Sequence, residues 1–125
     1  MLALLRQAEE HGKISEKHGK IVEQVGKKLE QLNLNAEQEI SIIQQCGKNS
    51  QQHAKTLQQY AKSAQKQNVD STVHYTKAGK EHVQATWQHI KAVNEYLKIV
   101  QLQLDKSKET RNKFLEQADK ITYHN

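Results

Sequence analysis

The sequence predicts an all-α protein, an elongated antiparallel bundle of three long helices with coiled-coil-like packing. Three observations carry that expectation. The 125 residues include no proline and only five glycines, and only 35% are hydrophobic and 5% aromatic. Apolar residues recur at alternating spacings of three and four, the signature of amphipathic helices. A mean hydropathy of −0.92 implies a thin core with much side-chain surface in water. That length fits one domain spanning residues 1–125.

The first helix is expected over about residues 2–32. Met1, Leu4, Ala8, His11, Ser15, His18, Val22, Val25, Leu29 and Leu32 fall on one seam, widened by Leu5, Ile14 and Ile21. Within it the stretch HGKISEKHGKIVEQVGK nearly repeats every seven residues, placing Gly12, Gly19 and Gly26 in one column and Lys13, Lys20 and Lys27 in the next. Glycine costs about 1 kcal/mol against alanine inside a helix. Three at one heptad position therefore call for a compensating close contact, and packing against a seam of small residues is favoured over a ligand groove. A turn follows at residues 33–35. There Asn35 is the expected cap of the next helix, Gln38 holds the capping-box position, and Glu37 and Glu39 suit the positive end of the helix dipole.

The second helix, about 36–67, carries Ala36, Ile40, Ile43, Gly47, Ser50, Ala54, Leu57, Ala61 and Ala64 at the same spacing. Its small middle residues invite close approach by a neighbour. The glutamine-rich run from Gln44 to Asn68 keeps helical phase and reads as a solvated face. Cys46 is the one cysteine, which excludes an intrachain disulfide and reads as a small buried apolar group. Asn68 is expected to end this helix, and Asp70 or Ser71 to cap the next.

The third helix, about 71–122, begins a seam with Val73, Thr76, Lys80, Val83, Trp87 and Ile90. It then drifts to Val93, Leu97, Val100, Leu104, Ser107, Arg111, Phe114, Ala118 and Ile121. Trp87 and Phe114 are expected as helix-packing anchors, and Gly79 as a site for a kink. One such helix would be roughly 75 Å long against roughly 45 Å for each of the others, leaving an overhang. Two chains can cover each other's overhang as an antiparallel homodimer. Alternatively the helix breaks in LDKSKET, where Ser107 would cap a short fourth helix. The dimer is favoured because the seam crosses that stretch without losing phase.

The formal charge of +5 permits attraction to acidic partners. Only Arg6 and Arg111 of the 19 basic residues are arginine, whereas planar recognition of phosphate or guanine favours arginine. Trp87, Tyr60, Tyr75 and Tyr96 occur singly rather than among clustered basic residues, so a nucleic-acid partner is not expected. No phosphate loop, nucleophile elbow or metal-ligand cluster is present in the sequence. Neither His53 nor His89 is followed by the lysine-glycine pair of phosphotransfer domains. An enzyme is not expected, nor is a cofactor. MLALLRQ is too short an apolar run for a signal peptide, and nothing approaches the ~20 residues of a membrane span. The expected setting is cytoplasmic or peripheral to a membrane.

The function these features imply is a non-catalytic interaction or scaffolding module. Its expected partner is a protein or a second copy of itself, with an anionic membrane surface as a further candidate. Lys13, Lys17, Lys20, Lys27 and Lys28 are the candidate anion-binding residues, although Glu16, Glu23 and Glu30, three positions after the column lysines, are placed to pair with them. The alternative is a metal- or pH-responsive bundle using His11 and His18 on the first helix with His82 and His89 on the third. Seven residues is about 10 Å along a helix, too far for one pair to share an ion, so a metal would need histidines from different helices.

Overall fold

The computed structural model describes residues 2–66 and 71–124 as three helices, α1 (Leu2–Gln31), α2 (Glu37–Lys66) and α3 (Ser71–His124). The described residues contain no strand. Met1 on the first seam and Asn68 and Asp70 at the second turn lie outside the described residues.

The first turn is built on two asparagines in the left-handed region, Asn33 at φ 54° and Asn35 at φ 57°. Asparagine tolerates this conformation because its short polar side chain can bond locally. Asn33 follows the last turn of α1, where the Leu32 amide donates to the Leu29 carbonyl at 3.1 Å. Asn35 is not the cap that the spacing suggested, since a capping residue takes extended φ. The first helical bond of α2 instead runs from the Ile40 amide to the Ala36 carbonyl at 3.0 Å. Ala36 is 2% exposed, so burial rather than a side-chain hydrogen bond fixes this entry.

Helix α2 is the centre of the molecule: α1 and α3 both pack along it and touch each other far less. Its buried line is Ile40, Ile43, Gly47, Ser50, Ala54, Leu57, Ala61 and Ala64, joined by Cys46, which is the line the spacing picks out. Burial raises the Cys46 thiol above its ordinary value and keeps it protonated. Toward the turn, Val22, Ile40, Ile43, Cys46, Ala92 and Ile99 form one apolar cluster drawn from all three helices.

Helix α1 meets α2 through Leu5, Gly12, Gly19 and Gly26. The Leu4, His11 and His18 column expected at this contact sits one position aside, because the glycine column lets the two backbones approach. A Cβ on Gly19 would stand 2.9 Å from the Gln51 amide nitrogen and 3.0 Å from the Gly47 carbonyl, and one on Gly47 only 2.5 Å from the Glu23 amide nitrogen. Beside this crossing runs a ladder in which the Gln65, Gln58, Gln51 and Gln44 amides donate to Glu9, Glu16, Glu23 and Glu30 at 2.9, 2.8, 2.9 and 2.8 Å. Each seven-residue step back along α2 is one forward along α1. These glutamines are therefore half-buried cross-helix donors, not the solvated face expected of the glutamine-rich run.

Helix α3 packs on α2 with Ala78, Ala85, Ala92 and Ile99, all 1–4% exposed. This overturns the expected seam, in which larger residues faced inward. Val83, Trp87 and Ile90 are 63%, 55% and 44% exposed. The reason is spacing between axes: alanines let α3 sit close to α2, near enough for Asn49 to donate to Gln88 at 3.3 Å and for His53 to pair with Glu81 at 2.6 Å. α3 is continuous through Leu104–Thr110, so the break proposed for a fourth helix does not occur, and Gly79 introduces no interruption. Gln103 and Lys106 donate to the Leu34 carbonyl at 3.2 and 3.4 Å. Beyond them every side chain from Ser107 to Ile121 is exposed, so the last stretch of α3 runs past the other two helices.

Two alanine substitutions should move stability in opposite directions. Gly47→Ala forces backbone apart at the α1–α2 crossing and is expected to cost about 1–3 kcal/mol. Gly79→Ala meets nothing within 4 Å and is expected to stabilise by about 0.5–1 kcal/mol through lost unfolded-state freedom. Urea melts followed by helicity measure both.

Candidate interaction surfaces

Because alanines occupy the α2 contact, the large apolar residues of α3 are left on its outer side. Ile90, Val93, Leu97, Val100 and Leu104 are 44%, 45%, 57%, 38% and 51% exposed, and Phe114 and Ile121 are 70% and 65%. From Ile90 to Leu104 they follow one another at alternating steps of three and four, and Phe114 and Ile121 keep the same heptad register, an apolar row not covered by another helix among the described residues. Trp87 and Phe114, expected as packing anchors, are 55% and 70% exposed.

Beside this seam lies a groove with α1 and α3 as walls and α2 as floor. It is apolar toward the turn, where Ile21, Val25, Ile43, Val93 and Tyr96 line it. In its middle a cleft of about 450 Å³ is bordered by Ser15, Ser50, Thr86 and four histidines. The histidines face each other in pairs, His11 opposite His82 with ring centres 6.2 Å apart, and His18 opposite His89 at 6.3 Å. The step from His11 to His18 matches that from His82 to His89, so the two helices run in register along this groove. All four are exposed. Among the described residues no three histidine, cysteine or acidic side chains converge as a metal-binding group.

The lysine column lies on the outer side of α1. Lys13 is 3.2 Å from Glu10 and 4.0 Å from Glu9, and Lys27 is 3.3 Å from Glu23. The acidic partners precede the lysines rather than follow by three, and Glu9 and Glu23 pair with Lys13 and Lys27 while also accepting from Gln65 and Gln51. Exposed pairs of this kind contribute ~0–1 kcal/mol, but they reduce the positive field at Lys13 and Lys27. Lys17, Lys20 and Lys28 are also exposed. No described helix is long and apolar enough to cross a membrane.

Two features escaped the sequence reading although their signal was present. One is the alanine stripe of α3, three alanines at seven-residue spacing. The other is the pair of acidic and amide columns, each also at seven-residue spacing, that form the ladder. No family model, curated protein or solved structure matches the chain.

Within the ladder, the Gln51 hydrogen bond holds the Glu23 carboxyl below its ordinary 4.5; partial burial opposes this, and Lys27 and Lys48 reinforce it. A carboxyl lowered in the folded state stabilises above its unfolded value and loses that contribution as pH falls through the folded one. Gln51→Ala should therefore destabilise at pH 7 by about 1 kcal/mol and flatten the loss of stability below pH ~4.5, measured as melting temperature against pH.

Proposed function

We propose that the chain is a non-catalytic helical interaction module, an elongated antiparallel bundle that presents α3 for docking. The observation that carries this reading is the row of large apolar residues on the outer side of α3. Each is worth about 1.5–3 kcal/mol when fully buried, and contiguous exposed apolar surface of this kind marks interaction sites. The occupant best suited to a seam stepping by three and four is another amphipathic helix. The cationic residues Lys17, Lys20 and Lys28, with Lys13 and Lys27 partly neutralised, offer a second, weaker attachment to an acidic protein or anionic membrane. Light scattering, together with co-sedimentation on anionic and neutral vesicles over a salt series, tests the reading. Self-assembly, or retention by anionic vesicles that falls with salt, is expected; a monomer that binds neither vesicle overturns it.

A second reading is favoured by the facing histidine pairs. Two imidazoles on one tetrahedral ion at ~2.0–2.1 Å each place their ring centres roughly 5 Å apart, so each pair, at 6.2 and 6.3 Å, would close by about 1 Å on binding. Each pair would supply two ligands for a zinc-like cation, clasping α1 to α3 where the two helices have least contact of their own. Zinc should then raise the melting temperature by several degrees and His82→Ala should reduce the gain by about half. An unchanged melting temperature at millimolar zinc removes the reading.

A further inference from the structure

We infer that the occupant of the α3 seam is a second copy of this chain, lying antiparallel so that residues 107–121 of each copy cover residues 90–104 of the other. The inference rests on the reading of α3 as a docking surface and specifies what docks there. Its starting point is length. Ile90, Leu97, Leu104, Arg111 and Ala118 alternate with Val93, Val100, Ser107, Phe114 and Ile121, a seam of roughly 45 Å. It passes from the packed part of α3 into the overhanging part without a change of phase. A partner must bring an apolar helix of the same length, and α1 and α2 are already committed to each other. α3 itself is such a helix. With the positions flanking the seam, it offers about 20 residues per copy, the size of a stable interface.

Charge agrees with self-pairing. The seam is flanked by Asn94, Gln101, Gln103, Thr110 and Gln117, with Lys108 the one formal charge among flanking positions of the overhang. Asp105, Glu109, Lys113, Glu116, Asp119 and Lys120 fall on the opposite side of the helix. Two such faces meet without repulsion between their flanks. Direction follows from Arg111. A parallel pair in register would stack it on its own copy inside an apolar seam, which like charges oppose. An antiparallel pair separates the two guanidinium groups by several turns.

Register follows from where the bundle ends. Gln103 and Lys106 still reach Leu34, whereas everything from Ser107 onward is exposed. With a two-fold axis between residues 105 and 106, the bodies of the two copies lie end to end and each overhang runs along the other's body. A shift of one heptad either overlaps the bodies or leaves part of the seam uncovered. In this register Ile121 meets Ile90, Ala118 meets Val93, Phe114 meets Leu97, Arg111 meets Val100 and Ser107 meets Leu104. Small residues thus oppose larger ones along the seam, as close packing requires, and the Arg111 stem can lie along Val100 with its charge at the edge. The contact is isologous and closes after two copies.

The test uses the full chain with Cys46→Ser, carrying Leu97→Cys or Phe114→Cys. Light scattering should give twice the chain mass. Under mild oxidation an equimolar mixture of the two variants should form a disulfide-linked dimer, while each variant alone should give at least tenfold less. Strong linkage of each variant to itself, or a dimer whose mixture does not link, overturns this arrangement and leaves α3 as an interaction surface. A monomer at tens of micromolar overturns the second copy as occupant, and vesicle binding then decides whether the broader reading survives. Leu97→Lys, which lies outside the bundle core, should weaken association at least tenfold with helicity unchanged; association unaffected by this change also overturns the proposal.

Discussion

The close approach of α1 to α2 at Gly19 and Gly47 is the constraint on which the rest of the structure depends. Neither position has room for a Cβ, since each would meet backbone of the opposite helix at 3.0 Å or less. At this separation a glutamine on α2 spans the distance to a glutamate on α1, and it does so four times at one heptad interval. Wider spacing would leave these carboxylates to water and to their own lysines. The glycines cost helix propensity, and the dispersion contacts and hydrogen bonds of the crossing offset it. The ladder also ties the two helices to one register, because a slip by one residue would break every rung.

Helix α3 obeys the same economy of side-chain size. Ala78, Ala85 and Ala92 bring it close to α2, which leaves α2 buried between two neighbours along its length. Leu5, Ile40, Ile43, Leu57 and Ile99 fill the core, while most of the large apolar residues of α3 are excluded from it. Val83, Ile90, Leu97 and Leu104 sit on the far side of α3, and Ile14 and Ile21 on the open side of α1. A fold whose tight contacts are made by glycine, alanine and amide side chains keeps its bulky side chains available to something else. This is the physical link between the packing and the proposed docking function.

The groove between α1 and α3 follows from the same geometry. Both helices lie on α2 and are held apart by it, so His11, His18, His82 and His89 project toward one another across a cleft rather than into a core. Their exposure keeps them accessible to cations, protons and ligands. The matched seven-residue steps on the two helices turn two isolated pairs into one repeated arrangement.

Helix number and the inward line of α2 were legible in the sequence by itself, because α2 is flanked on both sides and its apolar and small residues trace a single continuous stripe. The turn at 33–35 was legible as well, since asparagines interrupt the periodicity there, although Ala36 rather than Asn35 proved to hold the cap position. The inward side of α3 was not legible. Periodicity locates faces by hydrophobicity, and α3 has two apolar faces, one small and one large. Which of them turns inward depends on the separation of helix axes, a quantity fixed by residues on α2. The histidine columns were visible as spacing, whereas their opposition across the groove depends on the register between α1 and α3, and both helices take that register from α2. Local pattern determined the helices and their stripes; tertiary packing decided which stripe is core and which is surface, because only the neighbour's side-chain size sets how closely two helices can approach.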